Sequence, residues 1–176
     1  RFHAESVACP KCGPKLSLTD AGGRGLTGAD PVAAAAEELR RGAIVALKGI
    51  GGFQLVVDAL NAGAVGTLRG RKMRPSKPFA VMCGSLEAVR KYCVVSEDEA
   101  ALLQSPAAPI VILNLRDDLA PALREALSSL SPDTATLGVM LPCSPLHMLL
   151  LRAGPFEMLV ATSGNRGGEP ICIKND

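Results

Sequence analysis

The densest group of chemically capable side chains lies between residues 69 and 77, where no acidic residue separates the cations. The five cations are Arg69, Arg71, Lys72, Arg74 and Lys77. Pro75 and Pro78 stiffen the backbone directly before an apolar stretch, which favours a fixed placement of the charges. Lys72 and Arg74 occupy alternate positions, so in an extended segment they point the same way and could clamp a triphosphate or a developing oxyanion. The alternative is a solvated basic turn.

A glycine-rich loop, Lys48-Gly49-Ile50-Gly51-Gly52, separates two short apolar runs. Without Cβ atoms its backbone N–H groups could approach an anion, to which Lys48 adds charge. The spacing matches neither a Walker motif nor a dinucleotide fingerprint. The loop is therefore either an anion-binding turn or a plain β-hairpin turn.

Small polar side chains follow an apolar run near the end of the chain, in Thr162-Ser163-Gly164-Asn165. At a strand end of an α/β sheet, Ser163 and Asn165 could bind a ligand, or they could bond only to the turn backbone. His147 lies in an apolar helix start, where a histidine is either a partly buried core residue or a ligand contact.

Cysteine usage indicates a reducing, cytoplasmic setting and one metal half-site. Cys9 and Cys12 form a Cys-Pro-Lys-Cys-Gly knuckle with two of the four ligands of a tetrahedral zinc site. His3 is a weak further candidate. Four single cysteines in apolar flanks, none beside a histidine in sequence, are expected to be small core residues; these are Cys83, Cys93, Cys143 and Cys172.

Composition excludes several classes of protein. The 176 residues are 48% hydrophobic and 20% charged, as in a globular domain, and no stretch suits a membrane span. A net charge of +2 and five aromatic residues (Phe 4, Tyr 1, Trp 0) disfavour nucleic-acid binding. The positive charge is concentrated in one segment, as expected for a small polyanionic ligand.

Short apolar runs alternate with capped helical segments, which predicts an α/β fold with an extensively buried sheet. Helices are expected from Asp30-Pro31 to Gly42, over 62–71, from the caps Ser85 and Ser96, over 119–127 and from Ser144-Pro145. Strands are expected over 43–47, 53–57, 79–83, 110–115, 137–141, 158–162 and 171–173.

Three regions follow along the chain. Residues 1–18 are an appendage around the cysteine knuckle, 19–29 a glycine-rich linker, and 30–176 the main domain, whose last segment we expect to be missing. The first residues lack a leader pattern, so the chain is expected to be part of a longer polypeptide.

Taken together, these motifs resemble the HypF carbamoyltransferase family of [NiFe]-hydrogenase maturation. The resemblance is carried by Arg1-Phe2-His3-Ala4 with the cysteine knuckle, the Lys48 loop, residues 71–82, Ser105-Pro106 to Ile110, residues 137–142 and Thr162 to Ile171. It spans nearly the whole chain. Residues 1–18 resemble the end of the family's second zinc finger, and residues 30–176 its YrdC-like nucleotide-binding domain, a twisted open sheet flanked by helices.

The resemblance implies a reaction and roles. Carbamate released from carbamoyl phosphate would attack the α-phosphate of ATP to give carbamoyladenylate and pyrophosphate. The carbamoyl group would later pass to the C-terminal cysteine of a maturation partner, as precursor of the cyanide ligands on iron. Lys72 and Arg74 would hold carbamate and phosphate charge with help from Lys77, while Ser163 and Asn165 would bind phosphates and Mg²⁺. Lys48, Gly51 and Gly52 would line the acyl pocket.

Cys143 and Met148 depart from the family pattern, which has a tyrosine and a second histidine there, and this leaves the ligand contact of His147 open. The rival enzyme is threonylcarbamoyladenylate synthase of tRNA modification, which has the same fold without a zinc-finger tail. A rival of another class is a nucleic-acid-binding module made of a zinc knuckle and a basic patch. Arg69 and Arg90 lie outside the motif and are expected to act as screened surface charges.

Overall fold

The computed structural model describes residues 11–26, 28 and 30–175. Within them, six helices and six strands alternate irregularly along the chain. The helices are α1 (Pro31–Arg40), α2 (Ala62–Arg71), α3 (Leu86–Arg90), α4 (Glu97–Leu103), α5 (Pro121–Ser128) and α6 (Pro145–Ala153). The strands are β1 (Val45–Lys48), β2 (Phe53–Asp58), β3 (Ala80–Cys83), β4 (Val111–Asn114), β5 (Thr136–Met140) and β6 (Met158–Ser163).

The strands form one mixed, open sheet in the order β1-β2-β6-β3-β5-β4. Only β3 and β5 run parallel among the described pairs, and the other neighbours are antiparallel. The last strand, β6, therefore enters the middle of the sheet between β2 and β3. This insertion brings the end of the described chain against its first third.

Both faces of the sheet are buried, because successive strand residues point to opposite sides and both sides carry apolar residues. Val57, Val81 and Val160 face a core packed by α2, α3, α4 and α5. Val56, Met82 and Leu159 face a second core packed by α1 and α6. The sequence prediction of an α/β fold with a buried sheet flanked by helices is confirmed.

Helix starts follow the capping residues that the sequence supplies. The side chains of Asp30, Ser85, Ser96 and Ser144 each accept a hydrogen bond from a backbone N–H in the first turn, and Ser96 forms a full capping box with Glu99. The first six predicted strands are present within two residues of their expected ends.

Three sequence predictions about secondary structure and cysteine burial are wrong. No strand forms over 171–173, although Cys172 exchanges backbone hydrogen bonds with Phe53 and Gly164. The basic segment is not extended: Lys72 caps the end of α2, and Met73 turns the chain with a φ of 47°. Cys143 and Cys172 are exposed, so only Cys83 and Cys93 are core residues as predicted.

The region predicted as a linker contains a tight local turn. The side chain of Asp20 accepts hydrogen bonds from the backbone N–H groups of Gly22 and Arg24, at 2.8 and 2.9 Å. Thr19 and Gly25 pair across this turn. Among the described helices, none is long and apolar enough to cross a membrane.

Candidate functional site

The sheet brings two separate stretches of sequence together at the end of β6. Gln54, at the start of β2, lies opposite Ser163, the last residue of β6. The turn after α2 reaches the same place through Lys72 and Arg74. We define this candidate site by Gln54, Lys72, Arg74 and the segment Thr162–Asn165.

Lys72 is fastened to the segment after β6 by three hydrogen bonds. Its Nζ donates to the carbonyl oxygens of Ser163 at 2.6 Å and Asn165 at 3.0 Å, and to Oδ1 of Asn165 at 3.3 Å. An ammonium group has three donors, and here all three are engaged. The longest contact, to the Asn165 side chain, is the one that an incoming anion would displace at least cost.

Arg74 joins the basic turn to the sheet. Its Nη1 donates to the hydroxyl of Thr162 at 3.1 Å, its Nε donates to the carbonyl of Lys77 at 3.1 Å, and its Nη2 donates to the carbonyl of Pro78. The guanidinium carbon lies 4.8 Å from the centre of the Phe79 ring, a cation–π contact. The position of the guanidinium group is therefore fixed on several sides.

The site carries positive charge that nearby carboxylates do not neutralise. Among the described residues, no ion pair joins Arg69, Lys72 or Arg74 to an acidic side chain. Burial lowers the pKa of Lys72, and the charge of Arg74 lowers it further. Burial also lowers the pKa of Arg74, with a smaller contribution from Arg69. Half-buried cations held by neutral carbonyl oxygens make a site suited to an anion.

Ser163 and Asn165 lie in this site and are bonded to each other. The Ser163 hydroxyl donates to Oδ1 of Asn165 at 2.6 Å, and Nδ2 of Asn165 donates to the carbonyl of Glu169 at 2.6 Å. The bond to Glu169 is the turn-stabilising role left open by the sequence. The contact with Lys72 places these residues at the candidate site, and ligand binding by Ser163 and Asn165 stays a prediction.

The glycine loop forms a hairpin turn between β1 and β2, which is one of the two interpretations of its sequence. Lys48 pairs with Phe53 across the hairpin, and the N–H of Gly49 donates to the carbonyl of Gly52. The exposed Lys48 side chain lies over the Phe53 ring at 5.5 Å and donates to Oδ1 of Asn175 at 2.5 Å. The described side-chain contacts of Lys48 are therefore with Phe53 and Asn175, whereas Lys72 and Arg74 contact the end of β6.

Gly52 is required where it stands. Its φ is 138°, and a Cβ there would lie 2.8 Å from the carbonyl oxygen of Cys172. The loop is therefore packed on the segment that follows β6, with the N–H of Phe53 donating to the same carbonyl at 2.7 Å.

His147 is buried at the start of α6, with 2% of its surface exposed. Its Nε2 lies 2.9 Å from Oε1 of Gln54, and its Nδ1 lies 3.5 Å from the sulfur of Cys143. Burial lowers the pKa of His147, which favours the neutral ring. None of the single cysteines is beside a histidine in sequence, but the fold places the sulfur of Cys143, four positions before His147, against the imidazole ring.

Two contributors escaped the sequence analysis. Gln54 is polar within the apolar run of β2, and this break in the pattern was the available signal. Arg69 was expected to be a screened surface charge, but it is half-buried and bonded to five carbonyl groups. Lys77 is exposed, and its carbonyl accepts from Arg69 and Arg74.

The predicted zinc half-site lies only partly in the described region. Cys9 lies outside the described residues, and Cys12 is exposed. Within the residues that the structure describes, no three His, Cys, Asp or Glu side chains are grouped as metal ligands.

Known proteins share both the sequence pattern and the fold. A family model described as "Telomere recombination" (Sua5_yciO_yrdC) matches residues 37–176, and one described as "HypF finger" matches residues 1–19. A carbamoyltransferase HypF of Rhodobacter capsulatus is 49% identical over 176 residues, which are 100% of this chain and 22% of that protein.

Two solved structures are similar to this one. Full-length HypF in a phosphate- and nucleotide-bound form has a TM-score of 0.84 at 46% identity, covering 99% of this chain and 22% of that chain. A Sua5 variant from P. abyssi has a TM-score of 0.69 at 20% identity, covering 81% of this chain and 40% of that one, and this likeness concerns the fold alone.

The family-model match over residues 37–176 and the fold shared with these solved structures define a Sua5/YciO/YrdC-type domain. With the HypF finger match and the full coverage by a HypF relative, the chain belongs to the HypF carbamoyltransferase family. It spans about a fifth of the length of the curated relatives that it matches.

Proposed function

We propose that this chain provides the adenylate-forming site of a HypF-type carbamoyltransferase. The site binds ATP and carbamate derived from carbamoyl phosphate. A carbamate oxygen attacks the α-phosphorus of ATP, the bond to the β-phosphate oxygen breaks, and carbamoyladenylate and pyrophosphate form. The observation that carries the proposal is the convergence of Lys72 and Arg74 on the end of β6. The nucleotide-bound form of a structural relative supports the choice of ligand.

The residues act by position and charge. Negative charge grows on the oxygens around the α-phosphorus as the new bond forms, and fixed cations stabilise it without reorganising. Arg74 presents a planar group held by Thr162 and Phe79, whereas Lys72 provides a point charge beside Ser163. Phosphoryl chemistry of this kind needs no protein nucleophile, because positioning and charge stabilisation are sufficient.

The polar atoms at the end of β6 suit Mg²⁺ that arrives with ATP. Mg²⁺ prefers oxygen ligands and keeps contacts with substrate phosphates. The Ser163 hydroxyl oxygen and the Asn165 amide oxygen are neutral oxygen ligands of this type. Zinc would be held by Cys9 and Cys12 together with two ligands from elsewhere.

The later steps rest on the family resemblance. The carbamoyl group would pass to the C-terminal cysteine of a hydrogenase maturation protein, where it becomes the precursor of cyanide ligands. Those steps involve surfaces beyond the site described above.

The test combines binding and chemistry on this chain. Calorimetric titration with Mg–ATP should give a dissociation constant in the micromolar-to-millimolar range, and ATP–pyrophosphate exchange should depend on carbamate equilibrated from bicarbonate and ammonium. Exchange that requires L-threonine with bicarbonate would instead indicate threonylcarbamoyladenylate synthase. If neither condition gives exchange, or if ATP does not bind, the proposal is wrong.

A further inference from the structure

We infer that Arg69 is a positioning residue that holds the basic loop, residues 72–78, in the shape that places Arg74. The inference deepens the proposed function and rests on it for the identity of the ligand. Arg69 itself is directed into the loop and toward the end of α5, and its role is exercised through Arg74.

The contacts of Arg69 tie three parts of the chain together. The guanidinium group donates only to backbone carbonyl oxygens. Nη1 reaches those of Arg74 at 2.7 Å, Lys77 at 3.0 Å and Pro75 at 3.4 Å, and Nη2 reaches those of Ser129 at 2.8 Å and Leu130 at 3.3 Å. One side chain on α2 thus joins the basic loop to the segment after α5.

Phe79 connects Arg69 to Arg74 a second time. The guanidinium carbons of Arg69 and Arg74 lie 4.5 and 4.8 Å from the centre of the same ring. Phe79 is 1% exposed, and its N–H donates to the carbonyl of Leu130 at 2.8 Å. The surface against which Arg74 rests is therefore shared with Arg69.

The loop conformation depends on a donor at this point. The carbonyl groups of Arg74, Pro75 and Lys77 converge on Nη1 of Arg69, and without it their partial negative charges would face one another. The loop turns at Met73, which has a positive φ, and among the described hydrogen bonds only the Lys77 carbonyl also accepts from another side chain, Nε of Arg74. Arg69 is half-buried, and burial lowers its pKa because the charged form loses contact with water. The five hydrogen bonds to carbonyl oxygens offset this cost of desolvation.

A lysine is not equivalent at this position. The planar guanidinium group serves two sets of carbonyls through two terminal nitrogens, whereas an ammonium group is a single point with three donors. Arg69→Lys should therefore leave the contacts to either the loop or residues 129–130 unmade.

The test is a double-variant cycle in ATP–pyrophosphate exchange. Arg69→Ala should lower the rate about tenfold to a hundredfold, the usual effect of displacing a catalytic group by about 1 Å. Adding Arg69→Ala to Arg74→Ala should lower the rate by no more than about twofold beyond Arg74→Ala alone, because Arg69 acts through Arg74. Multiplicative losses would overturn the inference. Arg90→Ala, at an exposed arginine paired with Glu97, is the matched control and should change the rate less than twofold.

A second readout does not depend on catalysis. Hydrogen–deuterium exchange should accelerate in peptides covering 72–79 in both Arg69→Ala and Arg69→Lys, while peptides of β5 keep their protection. Unchanged hydrogen–deuterium exchange in peptides covering 72–79 would overturn the inference, even if the rate of ATP–pyrophosphate exchange fell. Conversely, if Arg74→Ala leaves the catalytic rate intact while loop protection is lost in Arg69→Ala, the proposed chemistry fails and the positioning role stands.

Discussion

The ammonium group of Lys72 lies 2.6 Å from the carbonyl oxygen of Ser163, a residue 91 positions later in the chain. The contact links the turn after α2 to the end of β6, the last strand in the sequence, which lies between β2 and β3 in the sheet. A cation at the end of a helix and a polar residue at the end of a strand therefore behave as one site. The first prediction follows from this contact.

Replacing Lys72 or Arg74 with Ala should lower ATP–pyrophosphate exchange about thirtyfold to a thousandfold. Each change removes a charge-assisted contact worth about 2 to 4 kcal/mol in the transition state. The free energy of unfolding should fall by only about 1 to 3 kcal/mol, because water can replace part of the hydrogen bonding that the carbonyl partners lose. Exchange assays and urea denaturation of the same variants measure the two effects.

The matched control for that experiment is Arg71→Ala, at an exposed cation in the same segment. It should change the exchange rate less than about threefold, because screened surface charges act weakly. Equal small effects at Arg71, Lys72 and Arg74 would mean that the basic segment is a solvated turn.

Gly52→Ala should destabilise the protein by about 1 to 3 kcal/mol, because the added Cβ meets the Cys172 carbonyl and a φ of 138° is strained for alanine. Gly51→Ala is the paired control. Nothing lies within 4 Å of a Cβ at Gly51, so its effect should stay within about 0.5 kcal/mol. Urea denaturation compares the two, and a similar loss in both would contradict the packing described for the loop.

Protein stability should fall as the pH drops below about 6.5, in part because of His147. Burial lowers the pKa of this residue from 6.5. Below that value the unfolded chain therefore binds a proton that the folded chain resists. In His147→Gln, the fall in unfolding free energy between about pH 7 and pH 5 should be smaller than in the unaltered protein. An identical fall in both proteins would show that His147 does not titrate differently on folding.

Native cysteines should divide into two groups on alkylation. Cys83 and Cys93 are buried, and burial raises their pKa values to about 12 and about 11. Iodoacetamide at about pH 8 should therefore label the exposed Cys12, Cys143 and Cys172 and spare the buried pair. Peptide mass spectrometry identifies the sites, and labelling in denaturant provides the control. Fast native labelling of Cys83 would contradict its place in the core.

Zinc should be bound at less than one ion per chain. In the predicted half-site, Cys9 and Cys12 would supply two of the four ligands of a structural zinc ion, and affinity depends on the full set. Elemental analysis after gel filtration tests this, with Cys12→Ser as the control. One tightly bound zinc per monomer would contradict the prediction.

The sequence alone determined the six helices, the six strands that form and the main cationic residues. Asp30, Ser85, Ser96 and Ser144 predicted helix starts because a capping side chain acts on N–H groups within three residues. Alternation of short apolar runs with capped helical segments predicted an extensively buried sheet, and the run of cations without acidic neighbours indicated an anion site. These signals are local in the chain and need no knowledge of the partners.

Tertiary structure decided which of these residues meet. The insertion of β6 between β2 and β3 placed Ser163 beside Gln54 and within reach of Lys72. The turn at Met73 replaced the predicted extended segment, and it made Arg69 a partner of the loop. Strand order and the burial of a side chain depend on contacts between distant parts of the chain. Their free energy is realised only when the whole core packs, and no local pattern of residue types specifies it.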